Sequence, residues 1–299
     1  MVLERFAPAK INLFLHVGPL GEDGYHPLCS LMVFADVGDW VRLLPGEAAG
    51  LHLEGPFAGS LALSGGAGSD NLILRSRDLF QNQFGPAPGP FRLVLEKNLP
   101  IASGVGGGSA DAAATLALLA AYYQLPAEAV GDLRGLAKRL GADVPACLLG
   151  ESVIAQGRGD ELSPAVAFPA VHAVLVNPGL PTATSAVYGA FDQQGFGGDL
   201  TPPHAPRRPR NGVEMAIFLR AQRNDLERAA VAVQPAIAAV LESLAGAPET
   251  LIARMSGSGA TCFALCETSV AARVLARSLA AANPSWWVRA CRLGAPPRR

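Results

Sequence analysis

The chain has no CxxC pair, no apolar run long enough to cross a bilayer, and no marked excess of charge of either sign. Each absence excludes a class of protein. The five cysteines (Cys29, Cys147, Cys262, Cys266 and Cys291) are odd in number and scattered, so a zinc site or a redox dithiol lacks its usual spacing. Cys262 and Cys266 fall in an apolar, strand-like run, where a buried free thiol is expected. The longest apolar run, near residues 112 to 121, falls well short of a spanning helix. The opening MVLERFAPAKIN has neither the charged-then-apolar layout of a signal peptide nor the Arg/Ser richness of a transit peptide. A cytoplasmic location is therefore expected. A formal net charge of −1, with 16% charged residues, gives nucleic acid or an anionic membrane nothing to hold. The small basic cluster Arg207, Arg208 and Arg210 sits among prolines and reads as a solvated loop.

What is present is apolar matter in quantity. Half of the 299 residues are hydrophobic, enough to bury one large core or two medium ones. KINLFLHVG, WVRLL and FRLVLE (91–96) read as strands, with GEDGYHP as a turn-rich loop between the first two. A helix from about Asp111 to Tyr123 is apolar on nearly every side and is expected between layers. AEAVGDLRGLAKRLG spaces Val130, Leu133, Ala137 and Leu140 as a helix does and stops at Gly141. After it GADVPACLLG turns sharply. Residues 192–212 are dense in Gly and Pro and read as a long surface loop. Further on, VHAVLV, LIARMS, TCFALC and WWVRAC read as strands, and AVQPAIAAVLESLAG and SVAARVLARSLAAAN as helices. Strands mixed with helices in both halves predict an α+β protein of two lobes, divided in the loop-like stretch between about 150 and 170.

The most distinctive segment is PIASGVGGGSAD, residues 100–111. No lysine follows Gly108, so the Walker pattern fails. Ser109 stands where the last glycine of the dinucleotide fingerprint would be, so that fails too. A helix follows rather than the strand of a Gly-rich kinase hairpin. What remains is physical: glycines let a ligand approach backbone N–H groups, and a helix start offers free amides and the positive end of a dipole. Such a turn can wrap phosphate oxygens without a lysine, and the Ser109 hydroxyl could bond a phosphate or help hold Mg²⁺. A glycine turn that merely packs a helix on a sheet is the alternative.

Four further segments weigh against that alternative. Lys10 and Asn12 in PAKIN are two apart on a strand and point to one face. DGYH sets Tyr25 beside His26, LGADVP places Asp143 just past a helix, and SGSGAT supplies a second Gly/Ser turn between two strands. NDLE, residues 224–227, reads as helix capping or packing, and Asp225 is not expected to be catalytic.

In this order, PAKIN, DGYH, SGVGGGSAD, LGADVP and SGSGAT closely resemble the GHMP kinase superfamily, over almost the whole chain. The resemblance implies an N-terminal lobe like ribosomal protein S5 domain 2 (residues 1–160) and a ferredoxin-like C-terminal lobe (161–299), with ATP and substrate meeting between them. It implies that the loop Pro100, Ile101, Ala102, Ser103, Gly104, Val105, Gly106, Gly107, Gly108, Ser109 and Ala110 wraps the ATP phosphates, with Mg²⁺ as the accompanying ion. Asn71 and Lys97 match positions lining the nucleotide pocket. Lys10 and Asp143 match the family's catalytic pair.

PAKIN and DGYH together point to the branch whose substrate is a cytidine-diphosphate-linked methylerythritol. There Asn12, Tyr25 and His26 match positions at the cytidine end, and Tyr188 is the expected stacking partner opposite Tyr25. Met32 stands where some relatives carry an aromatic near that base. Other readings are a mevalonate- or homoserine-type kinase and a non-catalytic nucleotide sensor on the same fold. A dinucleotide-dependent oxidoreductase is third, with Ser109 against it.

Overall fold

The computed structural model describes residues 2–294 apart from 67, 69, 166–167, 196–197 and 203–208. Two long strands found the first sheet. β1 (Leu3–Val17) and β2 (Leu28–Pro45) pair antiparallel from Leu3 opposite Leu43 to Val17 opposite Leu28, with irregularities between Pro8 and Lys10 and between Asn12 and Phe14. The turn-rich GEDGYHP segment is the connection between them. β3 (Gly50–Glu54) and β4 (Phe91–Glu96) run parallel, and β4 pairs with β2. The crossover between β3 and β4 carries α1 (Ala58–Leu63) and α2 (Leu72–Phe84). β5 (Val153–Gln156) and β6 (Glu161–Pro164) complete the sheet along β2.

Helix α3 (Gly107–Tyr122) packs on this sheet, α5 (Val144–Leu149) touches its β1, and α4 (Val130–Leu140) lies against α2, α3 and α5. Alanine is the strongest helix former, and its small side chain allows close approach. Accordingly α3 is buried without a break from Ala110 to Leu116. It is the helix expected between layers, and it begins four residues before Asp111 because Gly107 and Gly108 already take helical conformation.

The second sheet holds β7 (Val171–Asn177), β8 (Thr250–Met255), β9 (Cys262–Cys266) and β10 (Trp287–Leu293), all antiparallel in the order β10-β7-β9-β8. With helices between β7 and β8 and between β9 and β10, this is the ferredoxin-like βαββαβ arrangement. The helices are α6 (Thr184–Gln194), α7 (Gly212–Arg220), α8 (Glu227–Val233), α9 (Ala236–Ala245) and α10 (Ser269–Ala282). The two sheets touch edge to edge through one register pair, Leu293 opposite Ala35. A shared core that includes Ile11, Leu13, Phe14, Val33, Leu175, Phe263 and Leu265 joins them.

Four expectations change. GADVPACLLG is a turn and then helix α5, with Asp143 as its N-cap residue and Pro145 in its first turn, where a missing N–H costs nothing. The stretch from 157 contains strand β6, because its backbone groups complete β5. The single helix read from AVQPAIAAVLESLAG breaks at Pro235, which cannot continue α8 and instead starts α9. The 192–212 segment begins inside α6 and ends at α7, and much of the rest lies outside the described residues. So do Arg207 and Arg208, whereas Arg210 pairs with Glu214 at 2.7 Å. All five cysteines are buried free thiols.

Candidate active site

A cavity of about 1040 Å³ opens where the glycine stretch, β1, α6 and the 256–261 turn converge. Its geometry starts from the glycine loop, where the carbonyls of residues 102 to 105 are each engaged by a donor from elsewhere in the protein. The loop hands Ala102 O to Thr182 N (3.0 Å), Ser103 O to Thr261 N (3.0 Å), Val105 O to Lys10 N (2.8 Å) and Gly104 O to the Ser256 hydroxyl (3.1 Å). Gly106, the N-cap residue of α3, has φ +63°, and Gly104 has φ +75° with Ser256 O only 2.6 Å from where a Cβ would lie. Only glycine suits that close approach. With the acceptors engaged behind it, the loop leaves the first amides of α3, at Gly107, Gly108 and Ser109, without intrahelical partners at the cavity wall. Free amides and the positive end of a helix dipole suit an anion without a lysine in the loop.

Facing this loop, the Lys10 ammonium lies between Asp143 Oδ2 at 3.0 Å and Asn12 Oδ1 at 2.8 Å. Lys10 is buried and Asp143 is about one-third exposed, so the carboxylate is the accessible member. Asn12 is fixed in turn: its Nδ2 donates to Ser30 Oγ (2.6 Å), which donates to Phe14 O (2.7 Å), and its backbone N–H donates to Ser256 Oγ (3.1 Å). The amide of Asn12 thus serves the Lys10–Asp143 pair rather than the His26 end of the cavity.

At that other end, His26 is held by both ring nitrogens, Nδ1 at 2.9 Å from Gly18 O and Nε2 at 3.0 Å from Asp192 Oδ1. The Tyr188 ring lies 5.1 Å from the His26 ring, tilted 34°, and Phe191 meets His26 edge-on at 5.6 Å. Tyr188 therefore packs on His26, while the exposed Tyr25 carries the Arg158 guanidinium 3.3 Å above its ring. Burial first, then the charge of Asp143, pushes the Tyr188 phenol up to about 12. Met32 is buried in the floor nearby.

Asn71 and Lys97 both border the cavity, with their polar ends turned inward to the protein. Asn71 is the N-cap residue of α2: Oδ1 accepts from Ile73 N at 2.8 Å and Nδ2 donates to Gly66 O. Lys97 donates to Asp39 Oδ2 (2.5 Å) and Asp111 Oδ2 (2.8 Å), all three side chains being buried. Burial pulls the Lys97 pKa down, but the two carboxylates outweigh it and hold the ammonium charged. Asp39, Asp111, Ser30, Arg158 and Asp192 were not found from the sequence as site residues. Only Asp111 sat within a recognised motif, where its helical position masked it.

The NDLE segment is structural. Asn224 Nδ2 donates to Met255 O and Gly257 O, both at 2.9 Å, and Asp225 Oδ2 accepts from Val17 N at 2.8 Å.

The description "GHMP kinases N terminal domain" matches residues 71–151, and "GHMP kinases C terminal" matches residues 211–285. The chain belongs to the GHMP kinase family. It is 50% identical over 294 residues to the 4-diphosphocytidyl-2-C-methyl-D-erythritol kinase of Caulobacter vibrioides strain NA1000 / CB15N, covering 98% of this chain and 100% of that one. The enzyme of the same name from Chelativorans sp. strain BNC1 is 45% identical, covering 97% of this chain and 96% of its own. Among solved structures, a 4-(cytidine 5'-diphospho)-2C-methyl-D-erythritol kinase superposes with TM-score 0.77 at 37% identity, over 98% of this chain and all of that one. A homoserine kinase from Cytophaga hutchinsonii (TM-score 0.69, 18% identity, 99% and 96% covered) shares the GHMP kinase fold.

Proposed function

We propose that this GHMP kinase transfers the γ-phosphoryl group of ATP to the 2-hydroxyl of 4-diphosphocytidyl-2-C-methyl-D-erythritol, in isoprenoid precursor synthesis. The carrying observation is the Lys10–Asp143 pair at 3.0 Å, opposite a glycine loop whose carbonyls are engaged elsewhere in the protein and whose helix-start amides border the same cavity. Relatives named for that activity, 45–50% identical along essentially the full chain, support it.

In the proposed reaction the Asp143 carboxylate accepts the hydroxyl proton as the substrate oxygen bonds to the γ-phosphorus. The bond to the β–γ bridging oxygen breaks, and ADP leaves. Lys10 neutralises negative charge on the transferring group, and most of the acceleration comes from alignment and electrostatics. Amides of the Gly104–Ser109 stretch hold the polyphosphate. Tyr25, His26 and Tyr188 border the end where the cytosine would sit.

The donor set suits a phosphate-held Mg²⁺. Among the described residues no group of three or more His, Cys, Asp or Glu side chains gathers as a metal cage. The Ser109 hydroxyl and Asp143 carboxylate border the cavity, and Mg²⁺ needs only one or two protein oxygens beside phosphate and water. When bound, the ion offsets charge on the phosphates. The lobes we propose divide between β6 and β7, slightly beyond residue 160, since residues 161–164 pair within the first sheet. No helix of the described residues is long and apolar enough to cross a membrane.

The test is ADP release from ATP on adding the cytidylated methylerythritol, with the uncytidylated sugar phosphate, mevalonate and homoserine as parallel acceptors. Turnover with the cytidylated compound alone supports the reading. Turnover only with another acceptor, or none, overturns it.

A further inference from the structure

Beneath the glycine loop lies a cluster of three buried ionisable side chains that the proposed reaction does not use. Lys97 directly follows β4, and its ammonium is held between Asp39 of β2 at 2.5 Å and Asp111 of α3 at 2.8 Å. The second Asp39 oxygen accepts from Asn98 N at 2.6 Å and Leu99 N at 2.8 Å, the two amides just before Pro100. Asp39 therefore grips the entrance of the glycine loop with one oxygen and Lys97 with the other. Lys97 also abuts the start of α3: a Cβ on Gly107 would lie 3.0 Å from its Nζ. Asp111 carries the chain of contacts into the second turn of α3, and its Oδ1 has no hydrogen-bond partner among the described residues.

We infer that Asp39, Lys97 and Asp111 are positioning residues for the nucleotide phosphates, a charged pedestal that fixes where the loop and the first amides of α3 sit. The inference rests on the reading of that loop as the ATP site. Burying such a polar cluster is costly, and a stabilising role alone would be met as well by apolar packing. What apolar groups cannot do is bond two consecutive backbone amides and an ammonium at one point, and that fixes the direction in which the loop leaves β4. Both Asp39 oxygens are engaged, so an amide in its place would turn an N–H₂ toward either Lys97 or the loop amides. At Asp111 the same change keeps an acceptor for Lys97 and replaces only the unpartnered oxygen. The two carboxylates thus differ in how much they hold.

The experiment compares the native enzyme with Asp39→Asn, Asp111→Asn and Lys97→Arg, the last keeping the charge but forcing a larger fork under Gly107. Steady-state KM is measured for ATP and for the acceptor, and ADP affinity is measured by calorimetry in magnesium-free buffer. Loss of hydrogen bonds to a charged group predicts that Asp39→Asn raises the ATP KM and the ADP Kd at least about tenfold, with the acceptor KM within about twofold. Lys97→Arg moves the same two constants in the same direction, and Asp111→Asn moves them by less than about threefold. A folded Asp39→Asn enzyme with native ATP KM and ADP Kd overturns the inference. So does one in which both substrates' constants worsen together, the mark of general loosening. Should Asp39→Asn fail to fold, Lys97→Arg carries the same test with the same criteria. Failure of the native protein to bind ADP would instead count against the ATP reading itself, and the native titration separates the two.

Discussion

The Lys10 ammonium touches the Asp143 carboxylate at 3.0 Å, and it does so from the middle of a long strand toward the cap of a six-residue helix. Asp143 makes no side-chain capping hydrogen bond in α5, so its carboxylate is turned to the lysine instead. Asn12 supports the lysine from the same strand face, two residues on.

Asp143→Asn is expected to lower kcat by about 10²–10⁴, the usual worth of a positioned general base. ADP affinity should stay near native, because the glycine loop is untouched. Rapid-quench turnover beside calorimetry checks both, and a kcat within threefold of native removes Asp143 from the proton-transfer role.

At the far end of the cavity, Tyr25→Ala should raise the acceptor KM by about 5- to 100-fold, since base stacking on an aromatic ring contributes about 1–3 kcal/mol. Tyr25→Phe keeps the ring and should resemble the native enzyme. The ATP KM should not respond to either change. Equal acceptor KM values for all three proteins would rule out stacking on this ring.

Gly104 and Gly135 make a contrasting pair for stability. A methyl at Gly104 meets Ser256 O at 2.6 Å and must adopt φ +75°, so Gly104→Ala should cost about 2–4 kcal/mol. Gly135 lies within α4 with open space around it, so Gly135→Ala should stabilise by about 0.5–1 kcal/mol. Urea unfolding of the two variants measures both, and the signs should be opposite.

His16 supplies a pH dependence. Both its ring nitrogens are buried without hydrogen-bond partners among the described residues; burial first, then Arg223, lowers its pKa below 6.5, with Arg254 acting the same way and Asp225 and Asp199 opposing. Below pH 6.5 the unfolded chain takes up a proton that the folded chain refuses, so stability falls on acidification; above it both forms are neutral and His16 contributes no slope. The melting temperature of the native protein should therefore drop more between about pH 7.5 and 5.5 than that of His16→Leu. Parallel curves would exclude His16.

What could be read from the sequence was local. A glycine-rich turn into an alanine helix dictates its own amide geometry, and Lys10 and Asn12 share a face by the two-residue period of a strand, so both features stood out in single segments. Asp39 did not, because its partners Asn98 and Leu99 lie 59 and 60 residues away and nothing around ADVGDWV announces them. Lys97 was read as facing the nucleotide, since a lone lysine after a strand shows nothing of the two carboxylates that claim it. Tyr188, expected to stack opposite Tyr25, borders the cavity, but its ring contact is with His26, a matter of how α6 leans and not of residue type. Helix α2 was within reach: Ile73, Ser76 and Phe80 bury one face at helical spacing, a pattern passed over in favour of Asn71.

Ser256 sits in the turn after β8, yet its side chain reaches both the amide of Asn12 and the carbonyl of Gly104. A swivel of one sheet against the other, pivoting at Ala35 and Leu293, would tug the glycine loop as it reshaped the opposite wall. Two ligands that share no side chain would then feel each other through a common mechanical frame, and filling one berth would tune the other.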